Sequence, residues 1–320
     1  MNAIVFTQYG PPEVLQLKEV EKPFPKDNEI LLRVKATAVN SGDVRLRKAD
    51  PFAVRLFFGL MKPRINILGS VFSGEVESVG SKVKLFKVGD KVFGHTDMSF
   101  GAYAEYICLP EDGSLALLPD NFSHKEAAVI PFGGTTALHF LKKAGVKPGQ
   151  KVLIVGASGA VGSAAVQLAK SFRANVTGVC STANIDLVKS LGADTVIDYT
   201  NDDFTQNEES YDVIFDTVNT ISVFRSLKSL NKTGIMILSA AGISEMLQGF
   251  WITMTSSKKV LTGVIRHQAE DIIFLKELIE TGQLKPVIDR THSIEQIAEA
   301  HAYVEKGHKK GNVAIALADQ

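Results

Sequence analysis

The feature that most constrains the fold is a regular alternation of short apolar segments and longer amphipathic segments between residues 152 and 265. The apolar segments are short, and Gly, Asp, Asn and Ser lie near their ends, as is typical of buried strands. Six of them lie at 152–156, 175–180, 195–198, 212–217, 235–239 and 260–265. Between them, segments such as 160–172 and 183–193 carry apolar residues at helical spacing. Strands that alternate with helices predict a doubly wound parallel sheet.

A glycine pattern lies where the first of these strands meets the first helix. Residues 152–162 read VLIVGASGAVG, with glycines three residues apart. In such a loop the first glycine permits a sharp turn, the second lets the backbone approach a pyrophosphate, and the third lets the helix lie close to the sheet. The helix amino terminus adds free N–H groups. We predict a dinucleotide site here, with a ligand-free turn as the alternative. Its residues are Gly156, Ser158, Gly159, Ala160, Val161 and Gly162.

The end of the second strand indicates which dinucleotide is bound. An Asp or Glu about 20 residues beyond the glycines normally holds the 2′-hydroxyl of NAD, but here no acid precedes Asp186. Ser181 and Thr182 offer hydroxyl groups, or simply cap a helix, and Tyr199 follows the third strand. Because no acid repels a 2′-phosphate, we favour NADPH. NADH stays open, since this turn holds no Arg or Lys.

The remaining chain is β-rich at its start and helical near its end. Strands are predicted at 3–7, 30–39, 72–80, 91–95 and 102–108, with a short helix within 51–61. Residues 124–145 predict two helical pieces around Pro131 and the Gly133–Gly134 pair. Two more helical segments precede a last strand at 311–317, which we expect to return to the first domain's sheet. The predicted β-rich domain (1–123 and 266–320) is thus interrupted by a dinucleotide-binding domain (124–265).

Composition excludes several classes of protein. The formal net charge of the 320 residues is zero, which argues against a nucleic-acid partner. We expect no membrane partner either, since the sequence shows neither a signal peptide nor 18 consecutive apolar residues. Cys108 and Cys180 are too few for a disulfide framework or a four-cysteine zinc lobe. These features favour a cytoplasmic protein.

Motifs along nearly the whole chain carry a family resemblance. They are AVNSGDVR (38–45), FSGEVESVG (72–80), FKVGDKVFG (86–94), GAYAEY (101–106), GGTTALHFL (133–141), LGADTVIDY (191–199), YDVIFDTV (211–218) and KKGNVAIAL (309–317). In this order they resemble the zinc-independent quinone oxidoreductase branch of the medium-chain dehydrogenase/reductase superfamily. The resemblance implies an α/β protein with a GroES-like β-rich catalytic domain and a doubly wound, parallel-sheet Rossmann domain. It also implies an active site in the cleft between them and a homodimer through the last Rossmann strand, or a tetramer.

The resemblance also separates this chain from the zinc-using alcohol dehydrogenases of the superfamily. Those carry a Cys in the early loop and a Gly-His-Glu motif later, where this chain has Asn40-Ser41-Gly42-Asp43 and Gly69-Ser70-Val71. Thiolate and imidazole ligands for catalytic zinc are therefore missing from those positions. A partial site from His95 and Asp43 is conceivable, but a packed or capping His is the better interpretation. We expect no metal.

The family match assigns roles to several residues. Asn40 and Asp43 are expected to line the cleft near the nicotinamide, although Asn40 could simply form a turn and Asp43 could orient Arg47. Thr136 matches a threonine that contacts nicotinamide, with helix capping as the alternative. Asn312 matches a position that is often Lys or Arg, so a phosphate contact there is in doubt. Some relatives have a Tyr where this chain has Arg45, which is no general acid, and we assign no proton donor.

Without a zinc Lewis acid, the easiest hydride acceptors are electron-poor ones. We predict NADPH-dependent reduction of a quinone or an α,β-unsaturated carbonyl compound. The alternatives are a zinc-free alcohol dehydrogenase, an enoyl-thioester reductase and a catalytically idle cofactor-binding protein. Residues 51–64 either cap the substrate cleft or form a surface helix on the core, and Phe250 and Trp251 mark a second candidate lid. The first candidate presents Phe52, Phe57 and Phe58 with Arg55, Lys62 and Arg64.

Overall fold

Residues 1–265 and 267–317 are described by a computed structural model in which the chain forms two units. Met1–Phe132, His267–Glu280 and residues 286–317 make up the first unit, and residues 133–265 with Thr281–Lys285 make up the second. The first unit therefore extends to residue 132, whereas the sequence placed the boundary after residue 123. Its extension includes a helix at His124–Ala128, which packs on strands of the first unit. Residues 266 and 318–320 of the predicted ranges lie outside the described residues.

The elements follow the chain in this order. The amino-terminal part contains β1 (Asn2–Val5), β2 (Gln16–Glu19), β3 (Glu29–Val39), α1 (Ser41–Lys48), α2 (Val54–Phe58), β4 (Val71–Val79), β5 (Lys91–His95), β6 (Tyr106–Pro110), β7 (Leu115–Leu117) and α3 (His124–Ala128). After α4 (Ile130–Ala144) come β8 (Lys151–Val155), α5 (Ala160–Ser171), β9 (Asn175–Cys180), α6 (Ile185–Ser190), β10 (Thr195–Asp198), β11 (Tyr211–Asp216), α7 (Val223–Ser226), β12 (Leu230–Leu238), α8 (Ile243–Thr255) and β13 (Lys259–Leu261). The last elements are α9 (Ala269–Glu280), β14 (Ile288–Ser293), α10 (Ile297–Glu305) and β15 (Asn312–Ala316). Single 3₁₀ turns lie at Pro12–Val14, Thr182–Asn184, Phe204–Gln206, Leu227–Ser229 and Ile294–Gln296.

The second unit is built on a parallel sheet. Within the described residues its strand order is β10-β9-β8-β11-β12-β13, and every neighbouring pair is parallel. Strand order therefore reverses between β8 and β11, which is the position where doubly wound sheets bind dinucleotides. The predicted α/β class and Rossmann sheet are confirmed. The last strand is shorter than predicted, ending at Leu261, and α8 is a helix that the sequence analysis had marked only as a candidate lid.

The first unit is built on a mostly antiparallel sheet. Its strand order is β14-β15-β3-β4-β5-β7, with β6 also paired to β3. β15 pairs antiparallel to β3, with Val313 opposite Val39, so the prediction that the last strand returns to this sheet is confirmed. The core beneath the sheet includes the buried Phe6, Phe72 and Tyr103. The sequence analysis missed β2, β7 and β14, which are short or polar and carry little alternation.

The region from residue 124 to 145 differs in one respect from the prediction. α3 and α4 are two helices, but the break lies at Val129 and the Gly133–Gly134 pair lies inside α4. Pro131 is tolerated because it falls in the first turn of α4, where its missing N–H donor is not needed. A β-carbon on Gly133 would lie 2.3 Å from the carbonyl oxygen of Ala160. Gly133 therefore allows α4 to approach the start of α5 and does not break the helix.

No helix of the described residues is long and apolar enough to cross a membrane.

Candidate functional site

The glycine loop joins β8 to α5 at the reversal of strand order, and two of its glycines are required by the fold itself. Gly156 adopts φ +76°, and a β-carbon there would lie 2.6 Å from Val218 Cγ1. A β-carbon on Gly162 would lie 2.0 Å from the carbonyl oxygen of Gly156. The first glycine thus makes the turn, and the third lets α5 rest on the loop backbone.

Gly159 differs, because no contact within the described residues requires it to be glycine. Its φ is −81°, and a β-carbon would meet only the Gly156 oxygen, at the ordinary contact distance of 3.4 Å. Gly159 is the N-cap of α5, and no side chain caps this helix. The first-turn N–H groups, which include those of Ala160 and Val161, therefore lack a side-chain acceptor. Open space in front of uncapped N–H donors is what a pyrophosphate needs.

Residues after β11 form the other side of this position, and sequence reasoning had given them no role. The Thr217 hydroxyl donates to the carbonyl oxygen of Val155 at 2.8 Å. The almost fully buried Asp216 accepts hydrogen bonds from the backbone N–H groups of Val218 and Asn219, each at 2.9 Å. Burial raises the pKa of Asp216, and these bonds oppose the shift. The strand end is thereby fixed beside Gly156. In the sequence, the motif YDVIFDTV (211–218) was the one feature that could have pointed to Asp216 and Thr217.

Beyond β9, one amide joins two predicted cofactor residues. Asn184 Nδ2 donates to the hydroxyl oxygens of Ser158 and Ser181, both at 3.1 Å. Each serine accepts this bond, so each keeps its own hydroxyl proton for another acceptor. The buried Asn184 Oδ1 accepts no hydrogen bond from the described residues. Asn184 is a positioning residue that the sequence had not indicated.

The structure also places an acid next to this turn, where the sequence had indicated none. Asp198 ends β10 and lies opposite Cys180 in the sheet. Its carboxylate accepts hydrogen bonds from Thr182 Oγ1 at 2.5 Å, from the N–H and hydroxyl of Thr200 at 3.0 and 2.7 Å, and from Asn201 Nδ2 at 2.9 Å. These bonds, that of Thr182 foremost, lower the pKa of Asp198.

Four donors occupy the acceptor sites of one carboxylate, so Asp198 has no free acceptor site for a ribose hydroxyl. The Thr182 proton is also committed to Asp198, which leaves Ser181 as the hydroxyl donor of this turn. Tyr199, the next residue, is 58% exposed at the carboxyl end of β10.

Thr136 lies on α4, which packs directly against the start of the glycine-loop helix. Gly133 contacts Ala160 through the close approach described above. Residues three apart share one face of a helix, so Thr136 lies on the face of α4 that carries Gly133. Its side chain is buried, with 7% exposure. The second unit therefore places the helix face that carries Thr136 beside the glycine loop, which contains Ser158 and Gly159.

In the first unit, Asn40 and Asp43 lie together at the junction of β3 and α1. The Asn40 N–H donates to Asp43 Oδ2 at 3.0 Å, and Asn40 Nδ2 donates to Ser70 Oγ at 3.2 Å. Asn40 is 3% exposed and Asp43 is fully buried. Asp43 therefore acts on its surroundings through the backbone of Asn40. The sequence analysis quoted Ser70 only as a missing zinc ligand, whereas here it orients the Asn40 amide.

Burial sets unusual protonation states around Asp43. It raises the pKa of Asp43 to about 7, against the hydrogen bond from the Asn40 N–H. His301 Nε2 lies 3.2 Å from the Tyr103 hydroxyl, and burial together with the Arg47 charge lowers the pKa of His301 to about 3. Arg47 is buried and pairs with Glu305, so its ion-pair partner is Glu305 and not Asp43, which the sequence analysis had considered.

Asn312 begins β15 and is bound mainly within its own unit. Its N–H and Nδ2 both donate to the carbonyl oxygen of Val287, at 2.8 and 3.1 Å. Its Oδ1 is buried and accepts no hydrogen bond from the described residues. In the same loop, the Nζ of Lys309 donates to the Gly311 carbonyl oxygen, and burial lowers the pKa of Lys309 to about 8. An amide in place of the family's cation thus leaves one acceptor oxygen at this position.

His95, Asp97 and His267 form a cluster whose ligand atoms lie within 4.8 Å of one another. The His95 and His267 rings stack with centroids 3.7 Å apart and planes at 17°. His95 Nδ1 accepts the Asp97 N–H at 2.8 Å. A zinc ion about 2.1 Å from each nitrogen must lie near both ring planes, which nearly parallel stacked rings do not allow. The cluster is a stacked pair in which burial and His267 lower the pKa of His95.

The burial of Asp43 predicts a specific dependence of stability on pH. Its raised pKa destabilises the fold as pH rises from about 4 to about 7, while the lowered pKa of His301 destabilises it as pH falls from about 6.5 to about 3. The two slopes cancel between pH 4 and 6.5. Asp43→Asn should remove the first effect and make the unfolding free energy rise over this range, exceeding that of wild type at pH 7 by up to about 4 kcal/mol.

Urea unfolding followed by circular dichroism, at intervals from pH 4 to 7.5, measures this difference. Asp112→Asn, on an exposed turn, is the matched control and should follow wild type. Parallel pH profiles for wild type and Asp43→Asn would show that Asp43 is not held protonated.

Comparison with known proteins agrees with this architecture. Residues 26–120 match the family model "Alcohol dehydrogenase GroES-like domain", and residues 191–315 match "Zinc-binding dehydrogenase". The chain is 35% identical to the chloroplast envelope quinone oxidoreductase homolog of Arabidopsis thaliana, over 98% of both proteins. It is 31% identical to an Arabidopsis NADPH-dependent alkenal/one oxidoreductase, over 98% of this chain and 79% of that protein.

A solved structure of a quinone oxidoreductase has the same fold. The quinone oxidoreductase from Coxiella burnetii superposes with a TM-score of 0.90 at 30% identity, over 99% of each chain. Fold, motifs and full-length similarity thus agree, and the relatives are oxidoreductases. The chain belongs to the medium-chain dehydrogenase/reductase superfamily, in the group of the quinone oxidoreductases.

Proposed function

We propose that this oxidoreductase uses NADPH to reduce a quinone or an α,β-unsaturated carbonyl compound without a metal ion. Gly159 carries the proposal, since a glycine that the fold does not need lies at an uncapped helix terminus at the switch point of the sheet. The names of two relatives, a quinone oxidoreductase homolog and an NADPH-dependent alkenal/one oxidoreductase, support this acceptor class.

The second unit supplies the proposed cofactor site. Backbone N–H groups at the start of α5 and the Ser158 hydroxyl bind the pyrophosphate, and Gly156 and Gly162 shape the loop. At the adenosine end, the Ser181 hydroxyl donates to the 2′-phosphate and Tyr199 lies beside it, while Thr182 shields the Asp198 carboxylate by donating to it. NADPH is preferred because no acid of this turn is free to bind a ribose hydroxyl.

The bound NADPH would supply the hydride, and the chain's own residues bind and orient the nicotinamide and polarise the substrate. Thr136 contacts the nicotinamide from α4. Asn40 donates to the nicotinamide carboxamide or to the substrate oxygen, and Ser70 and Asp43 hold it in place. Asp43 is a positioning residue, since it is fully buried. Asn312 contributes at most its free Oδ1 to the cofactor.

The donor set favours chemistry without zinc. At the family's zinc positions the side chains are those of Asn40 and Ser70, which hydrogen-bond each other and are poor zinc ligands. Burial, with the nearby Asp198, raises the pKa of the Cys180 thiol to about 11, so without a metal it is uncharged at neutral pH. Quinones and enones are electron-poor acceptors that need less Lewis-acid help than an alcohol does. Free cysteines fit the cytoplasm, where we place the protein.

We also propose a homodimer through the edge of the second unit's sheet. β13 ends the sheet and pairs only with β12 among the described residues. α8 packs against it and presents exposed apolar side chains, and Val264 beyond the strand is 90% exposed. The exposed residues of α8 are Ile243, Met246, Leu247, Phe250, Trp251 and Met254. An unpaired edge with an apolar flank suits a self-complementary two-fold interface.

The cofactor site is tested by Gly159→Ala. The added methyl fits the unliganded loop but occupies the space proposed for the pyrophosphate. NADPH fluorescence titration should show at least a tenfold weaker Kd at an unchanged melting temperature. Gly162→Ala should lower the melting temperature, because its β-carbon meets backbone. Unchanged NADPH affinity in Gly159→Ala would place the cofactor elsewhere, and tighter binding of NADH than NADPH by wild type would refute the cofactor choice.

The reaction is tested by NADPH oxidation with a quinone, an alkenal, an enoyl thioester and an aldehyde, each with and without chelator. We expect turnover of the quinone or alkenal, insensitive to chelator. A preference for the enoyl thioester or the aldehyde would assign the chain to enoyl-thioester or alcohol chemistry. Cofactor binding with no turnover of any acceptor would make it an idle binder, and one tightly held zinc per purified chain would contradict the metal-free mechanism.

Sedimentation velocity tests the dimer. Wild type should sediment as a dimer and Val264→Glu as a monomer, because a charge at the sheet edge opposes pairing. Leu85→Glu alters an exposed apolar residue of the first unit, 66% accessible, and should leave the dimer intact. A dimeric Val264→Glu variant would locate the interface elsewhere.

A further inference from the structure

The first unit exposes a group of large apolar side chains on and after α2. Five of the ten residues from 52 to 61 belong to it, and we call them the α2 cluster. They are Phe52 (65% exposed), Leu56 (67%), Phe57 (76%), Leu60 (59%) and Met61 (89%). Isolated apolar residues are common on protein surfaces, but a concentrated group of this size marks an interaction site.

These side chains are exposed although the segment that carries them is fixed to the rest of the first unit. The opposite face of α2 is half-buried, since Val54 and Phe58 pack against the hydrophobic core. Gly59 turns the chain at φ +120°, its carbonyl oxygen accepts the Tyr9 hydroxyl at 2.8 Å, and the Arg64 N–H donates to the Phe58 oxygen at 2.7 Å. Residues 60–64 therefore fold back on α2. The α2 cluster is held outward because the inner positions are already filled.

The charge around the cluster is predominantly positive. Residues 51–64 contain Arg55, Lys62 and Arg64 and no acid. Arg45 and Lys48 on α1 are also exposed. Lys48 pairs with Glu305 at 2.8 Å and lies 4.0 Å from Asp50, which is the one acid between α1 and α2. The whole chain has zero formal net charge, so this is a local excess. Exposed Phe, Leu and Met residues ringed by Lys and Arg are typical of segments that lie in the interface of an anionic bilayer.

The exposed face of α8 provides a contrast. It is as apolar, but it flanks an unpaired sheet edge and carries Glu245 in its first turn. The proposed homodimer accounts for that face. The α2 cluster lies on a helix and on the residues after it, outside the strands of the described residues, and its cations favour an acidic surface.

We propose that the α2 cluster docks the protein on anionic lipid bilayers, with its apolar side chains among the acyl chains and the surrounding cations at the headgroups. This replaces the expectation that the protein has no membrane partner. The docking is peripheral and needs neither cofactor nor turnover, so it stands apart from the proposed function.

Co-sedimentation with large vesicles tests the proposal, using purified full-length protein without cofactor or acceptor. Vesicles of equal parts phosphatidylcholine and phosphatidylglycerol should bind the protein at least tenfold more tightly than phosphatidylcholine alone. Raising the salt concentration should weaken binding, because it screens the contribution of the cations. Equal binding to both compositions, or none to either, overturns the proposal.

Variants locate the surface. Leu56→Ser/Phe57→Ser should weaken binding to the anionic vesicles at least tenfold, whereas Phe24→Ser/Leu85→Ser, at exposed apolar positions outside the cluster, should bind as wild type. Both pairs are exposed, and unchanged melting temperatures will show that both variants fold. If the α2 variant binds vesicles as wild type, the cluster has another role. A raised KM for a water-soluble quinone would then identify it as a substrate lid.

Discussion

The second unit depends on one backbone contact, the approach of Gly162 to the carbonyl oxygen of Gly156. The β-carbon of any side chain at residue 162 would clash with that oxygen, since it would lie only 2.0 Å away. The contact sets α5 directly on the end of β8, so its uncapped amino terminus faces the reversal of strand order. A second close approach, of Gly133 to Ala160, brings α4 and Thr136 to the same loop. The cofactor site thus follows from helices that can pack only where glycine removes the β-carbon.

In the first unit, buried polar groups and not glycine contacts fix the position of the site residue Asn40. Asp43, Tyr103, Arg47 and His301 all lie in its interior, and burial shifts Asp43 toward its neutral acid and His301 toward its neutral base. Neutral forms reduce the cost of burying these groups in a polar network. At the edge of this network Asn40 is held in place, because its backbone N–H donates to Asp43 and its side-chain amide donates to Ser70. We interpret the buried Asp43 as support for Asn40.

The fold and the position of the cofactor loop were predictable from the sequence because both depend on local patterns. Strand–helix alternation predicted the parallel sheet, and glycine spacing marked its loop. Asp198 was not predictable in this way, since it reaches Thr182 only because β10 pairs with β9. Ser70 and Asn184 were missed for the same reason, as their partners are 30 and 26 residues away in sequence. The Gly133–Gly134 pair was misread as a break because tertiary packing, not helix propensity, decides its role.

Glycine identity therefore has two meanings in one motif. At Gly156 and Gly162 the protein's own atoms exclude a side chain, so these glycines would be needed in a loop that binds nothing. Only Gly159 is left unexplained by the fold, and only that position carries information about a ligand. The same reasoning applies to the surface, where an exposed apolar side chain is informative when its segment is anchored and its inner face is already packed. By that standard, Gly159 indicates a bound ligand and the α2 cluster indicates a docking surface.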